Sequence, residues 1–83
     1  MKVVYKYPFT SGVKFLMPKA SKILTGSFQA GAPCVWAEVN PNEVDVMYYF
    51  IKIYGTGHED VRGTYLCTVF DGAFVWHFYD TNS

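Results

Sequence analysis

The sequence predicts an all-β domain, a compact antiparallel sandwich or small barrel of about six to seven strands. Three observations carry that expectation. Apolar side chains recur with a period of two rather than 3.6 nearly everywhere. Turn residues interrupt these runs at short intervals. Aromatic residues make up 19% of the chain, and rings suit a pleated, half-buried surface better than a helix.

The elements follow in order. Residues 2–8 alternate Lys2/Val4/Lys6 with Val3/Tyr5/Tyr7, placing two lysines on one face and two tyrosines on the other. Pro8-Phe9-Thr10-Ser11-Gly12 supplies a turn before a second strand, Val13 to Met17. Pro18-Lys19-Ala20-Ser21 ends it and is the one place with room for a short helical turn. Lys22 to Gln29 is the third strand, and its interior Gly26 marks a bulge or a close backbone approach. Ala30-Gly31-Ala32 reverses the chain into Pro33 to Val39, which alternates Cys34/Trp36/Glu38 with Val35/Ala37/Val39. Asn40-Pro41-Asn42-Glu43 is dense turn chemistry.

Val46 to Tyr54 is the longest β-prone stretch and is apolar on both faces. It is expected to be one central strand, covered on both sides by protein or by a partner subunit. Gly55 to Gly63 is the longest irregular segment. Thr64 to Phe70 and Ala73 to Tyr79 then flank Asp71-Gly72, expected to be a two-residue type I′ connection. There is no repeat or linker, so residues 1–83 read as a single domain.

Composition narrows the function classes. A chain of 83 residues buries only roughly 60–65% of the surface it exposes when unfolded. With 51% hydrophobic residues it cannot hide every ring inside itself, which predicts an exposed apolar patch and hence a homo-oligomer. Seven basic residues balance seven acidic ones, and Arg62 is the only arginine. That balance argues against a DNA or RNA polymer as partner, where clustered cations supply most of the affinity. Cys34 and Cys67 lie in apolar strand-like runs and read as reduced, buried small hydrophobes. Met1 to Lys6 is too short and too charged for a signal-peptide core, and no run is long enough for a membrane helix.

Motifs for catalysis and metal binding are weak. No Gly-x-Ser-x-Gly elbow occurs, and Glu59 and Asp60 are adjacent rather than convergent, so no enzyme activity is expected. His58 and His77 with Glu59, Asp60 or Cys34 lack recognised ligand spacing, so neither a metal nor a cofactor is expected. Gly55-Thr56-Gly57-His58-Glu59-Asp60 is the most distinctive segment. It reads either as a strand-exit turn with a solvated tip or as a ligand-contacting loop whose amides face outward. His77, in Val75-Trp76-His77-Phe78-Tyr79, is either a hydrogen-bonded structural residue or a polar group in an aromatic-walled pocket. Trp36 and Trp76 offer ring faces on which a base could stack, and Lys6 or Arg62 a charge for a pyrophosphate.

Several stretches together resemble a family of small, uncharacterised β domains encoded by bacteriophages and their bacterial hosts. The matching elements are Tyr5-Lys6-Tyr7-Pro8, Met17 to Leu24, Gly31 to Val39, Gly55-Thr56-Gly57-His58 and the closing Gly72 to Phe78. Trp76 departs from the pattern, standing where Phe or another apolar residue is usual, and the stretch after His58 is short. The resemblance implies a phage setting, in which small oligomeric proteins often counter host defence. The chain is similar in size, β content and surplus rings to the class that sequesters nucleotide immune signals at subunit interfaces.

The resulting expectation is a non-enzymatic phage protein, acting in the host cytoplasm, that binds a small nucleotide-like signal of the cyclic oligonucleotide or ADP-ribose type between protomers. Trp36 or Trp76 would stack the base. Gly55, Thr56 and Gly57 amides with His58 and Arg62 would hold phosphates, and His77 would fix orientation. The alternative is a protein-interaction module that inhibits a host protein or forms part of a phage particle.

Overall fold

The computed structural model describes residues 1–81. Eight strands run in chain order: β1 Val3–Pro8, β2 Phe15–Pro18, β3 Lys22–Gln29, β4 Ala32–Val39, β5 Val46–Tyr49, β6 Ile51–Gly55, β7 Thr64–Asp71 and β8 Phe74–Asp80. All pairing is antiparallel. The strands form a three-stranded sheet β1-β4-β3, a two-stranded ribbon β2-β5 and a three-stranded sheet β6-β8-β7. There is no closed barrel, and no helix among the described residues, including at Pro18 to Ser21.

The arrangement is a sandwich with one layer made in two pieces. On β4, Val35, Ala37 and Val39 share the inner face and are at most 1% exposed. Val35 clusters with Phe9, Ile51, Val69 and Phe78, and so meets the β6-β8-β7 sheet. Ala37 and Val39 cluster with Met17 and Tyr49, and so meet the ribbon. Each fully buried large side chain here contributes roughly 1.5–3 kcal/mol.

Phe78 is the centre of the first cluster. Its ring is fully buried and stands edge-on to Phe9 at 5.7 Å and Phe28 at 5.8 Å. Gly26 makes room for it, because a Cβ there would lie 2.6 Å from two Phe78 ring atoms. Of the two readings of an interior glycine, Gly26 shows the close approach and is regularly paired with Val35, whereas the β3–β4 register shift lies at Leu24.

Two turns repay comparison with the sequence reading. Ala30 and Gly31 both have positive φ, the signature of a type I′ hairpin turn, although Ala30 has a Cβ to accommodate there. The last hairpin differs from expectation. Asp71 pairs with Phe74, so the loop residues are Gly72 and Ala73, and only Gly72 has positive φ. That is the φ pattern of a type II′ turn, which needs glycine first rather than second.

The expected central strand over Val46 to Tyr54 is not formed. The chain breaks at Phe50, whose carbonyl accepts the Thr81 amide at 2.8 Å and the Thr81 hydroxyl at 3.1 Å. Before the break β5 pairs with β2, and after it β6 pairs with β8. Two short edge strands replace one long central strand, and Val46, Met47 and Tyr48 are exposed.

Candidate ligand-binding cleft

Alternation along the third sheet sorts its side chains onto two faces. Phe78 and Ile53 face the core, so Tyr79, His77 and Val75 of β8 face outward. Register places Lys52 and Tyr54 of β6, and Tyr65, Thr68 and Phe70 of β7, on that same outer face. Rings cover much of it. Tyr79 stands edge-on to Tyr54 and to Tyr65, each at 5.6 Å, and Tyr54 is edge-on to His58 at 5.0 Å. Tyr54 is therefore only 6% exposed although it lies outside the sandwich core.

The segment after β6 folds over this face. A hydrogen bond from the His58 amide to the Gly55 carbonyl at 3.2 Å closes a turn in which Gly57 has a φ of 87°. This is the geometry that demands glycine at the third turn position. The chain returns past Gly63, where φ is 104° and a Cβ would lie 2.3 Å from the Asp80 carbonyl oxygen. Any residue but glycine would push the segment off the sheet end. Between sheet and segment lies a cleft of about 500 Å³, lined by Phe50, Lys52, Tyr54, His58, Glu59, Asp60, Arg62, Gly63 and Thr81.

Its electrostatics are mixed by design of position rather than by pairing. Lys52 and Arg62 present two cations, and Glu59 and Asp60 two carboxylates. None of the four is in an ion pair among the described residues, where Lys2–Glu38 at 3.4 Å lies far off on the first sheet. The cations are thus available to an anionic group, and the carboxylates to hydroxyl or amine donors.

Beside the cleft runs a polar chain on the same outer face. His77 Nε2 lies 3.0 Å from the Thr56 hydroxyl, and Nδ1 lies 3.0 Å from the Thr68 hydroxyl. Thr68 in turn lies 2.6 Å from the Tyr65 hydroxyl. Hydroxyls both donate and accept, so this chain holds the imidazole in either tautomer. His77 is a positioned residue that ties the Thr56 turn to the sheet.

The structure separates the residues that the sequence suggested. His58 and Arg62 share the cleft, with Thr56 and His77 next to it. Gly55 and Trp76 are register partners on the opposite, inner side of the sheet, where Trp76 stacks on Phe74 at 5.7 Å. Trp36 faces outward from the other sheet, opposite Lys6 and Thr25, while its neighbour Val35 points to the core. Within one protomer the core therefore lies between Trp36 and Arg62, and a small ligand cannot touch both. Lys6 also belongs to that far side and donates to Gln29 at 2.8 Å. Around the turn, Gly55 is a paired strand residue and the His58 amide is bonded to the Gly55 carbonyl.

Sequence reasoning missed Lys52, Tyr54 and Phe50. The signal was present: a lysine in an otherwise apolar run marks an outward position, and Tyr54 is two residues on. Treating the run as apolar on both faces hid it.

The cysteines offer little reactivity. Cys34 is buried and Cys67 is half-buried, and neither is in a disulfide. Burial pushes the Cys67 thiol above its ordinary 9.0, against smaller opposing effects of the Gly26 carbonyl and Thr25 side chain. A thiol in that state is a poor nucleophile near neutral pH. Among the described residues no three His, Cys, Asp or Glu side chains gather as a metal site.

A family model, Domain of unknown function (DUF7352), matches residues 1–83. The chain belongs to this family. No curated protein and no solved structure matches it. DUF7352 membership spans the sandwich, the ribbon and the cleft alike, so all three are parts of one domain type.

Proposed function

We propose that this DUF7352 domain is a non-enzymatic binding protein that captures a small nucleotide-derived ligand in the cleft between β6 and the 57–63 segment. In its biological setting we read it as a phage-encoded protein that sequesters a host immune signal of the cyclic oligonucleotide or ADP-ribose type in the host cytoplasm. The observation that supports this best is the pairing of two uncommitted cations, Lys52 and Arg62, with the Phe50 and Tyr54 rings in one concave site.

The chemistry fits a ligand with few phosphates and several hydroxyls. Arg62 can bind a phosphate with two parallel hydrogen bonds while Lys52 adds a point charge. Glu59 and Asp60 would accept from ribose hydroxyls, and they weaken the field that a long polyanion needs. A volume of about 500 Å³ is in the range of small-molecule sites. The cleft lies within one protomer, so binding there does not wait on assembly.

The test is capture and release. Purified protein is incubated with cyclic dinucleotides and ADP-ribose isomers, then heat-denatured, and the filtrate is analysed by chromatography. The expected result is depletion before heating and recovery of intact ligand afterwards, whereas altered products would mean an enzyme. Arg62→Ala and Lys52→Ala should each weaken capture about tenfold or more, as loss of a charge-assisted hydrogen bond does. Trp36→Ala should leave capture unchanged. Depletion of none of these ligands would remove them from consideration and favour a protein partner.

A specific observation supports that second reading, a module that inhibits a host protein or decorates a phage particle. Phe70 and Phe74, flanking the β7–β8 turn, are 77% and 61% exposed. Exposed rings at a hairpin tip suit insertion into a pocket on another protein.

A further inference from the structure

We infer that the outer face of the β2–β5 ribbon is a self-association surface on which a second copy of this chain packs about a two-fold axis. The ribbon has two faces of opposite fate. Met17 and Tyr49 point inward and are 1% and 7% exposed. Leu16 pairs with Tyr48, and Pro18 with Val46, which puts these four side chains together on the outer face. Leu16, Val46 and Tyr48 are about half exposed, and Val44, just before β5, is 89% exposed.

Three considerations favour a second copy as the occupant. First, a two-stranded ribbon is marginal in water and needs cover. The core covers only one face, yet the sequence of β5 is apolar on both. Second, four large apolar side chains on or beside this one face, Leu16, Val44, Val46 and Tyr48, are about half exposed or more, and an apolar cluster of that kind marks an interaction site. Third, the charges at the two ends are complementary under a two-fold operation. Lys14 sits over the Tyr48 ring at 4.8 Å, at the Phe15/Tyr49 end. Glu43 and Asp45 lead into β5 at the other end, where Lys19 leaves that end net negative. Glu43 is held there by the Asp45 amide at 3.1 Å. A two-fold axis lying between the two outer faces and running across the strands swaps the ribbon ends, bringing each Lys14 toward the partner copy's acidic end, the self-complementarity that an isologous interface requires.

This inference is independent of the ligand reading, because none of the outer-face residues lines the cleft. Sedimentation velocity from low micromolar to several hundred micromolar tests it. The expected result is a monomer–dimer equilibrium. Val46→Glu and Leu16→Glu should each weaken it ~100-fold or more, as two buried carboxylates facing each other would. Phe70→Glu, exposed elsewhere, should leave it unchanged, and circular dichroism confirms that each variant is folded. Lys14→Glu should weaken the dimer, and adding Glu43→Lys to it should restore it. A wild-type monomer at the highest concentration, or a dimer indifferent to Val46→Glu, would overturn the inference. So would a dimer unaffected by Lys14→Glu, since the two-fold register would then be wrong.

Discussion

β5 and β6 come from one continuous run that is apolar but for Lys52, yet the fold treats them oppositely. β5 joins a two-stranded ribbon, packs one face on Ala37 and Val39, and leaves Val46 and Tyr48 about half exposed. β6 joins a three-stranded sheet, sinks Ile51 completely, and has its outer face roofed by the chain's own 57–63 segment. The difference arises at Phe50, where the Thr81 contacts turn the backbone from one sheet into the other. Similar residues thus make a surface for another molecule in one case and the wall of a cleft in the other. Strand sequence sets which side chains alternate; neighbouring segments set what each face meets.

The comparison can be broken most strongly at the core. Ile51→Ala should cost about 3–4 kcal/mol in denaturant unfolding, since a fully buried side chain leaves a cavity. Val46→Ala, measured on dilute protein, should cost less than about 0.5 kcal/mol. Equal losses would mean that β5 is not the exposed partner. A smaller effect is expected where the roof over β6 is pinned. Gly63→Ala forces a Cβ onto the Asp80 carbonyl at a φ of 104° and should cost about 2–3 kcal/mol. It should also abolish ligand capture, whereas Gly57→Ala, with open space at its Cβ, should strain only the turn.

An effect smaller than that at Gly63 sharpens the other side. The Tyr49 hydroxyl accepts from the Ser21 amide at 3.2 Å and donates to the Pro18 carbonyl at 3.3 Å, tying β5 to the turn after β2. Tyr49→Phe should cost about 1 kcal/mol, read as a shift in the unfolding midpoint at constant slope. A larger loss with a changed slope would show that this one hydroxyl holds the ribbon on the core.

Much of the fold was legible because its signals are local. Lys22 to Gln29 appears as β3 with both boundaries as read, and Gly26 shows the close approach that its position announces. The last hairpin was legible as a hairpin but one residue off, since Gly72 serves a II′ turn as readily as Asp71-Gly72 serves a I′ turn. The candidate site was legible only in part. His58 and Arg62 are loop residues with unusual chemistry, and both line the cleft. The Trp36 ring lies on the exterior of the other sheet, and a strand's sequence does not tell which exterior a ring will face.

The sequence by itself determined an antiparallel all-β domain, because a period of two and short turns leave few other ways to bury these side chains. It also determined a surplus of rings beyond what so small a core can hold. Only the tertiary structure decided where that surplus goes. The break at Phe50, the roof pinned at Gly63 and the bare ribbon all depend on contacts between residues far apart in the chain, such as Phe50 with Thr81. Periodicity is a property of neighbours, and it carries no information about which distant segment will cover a face.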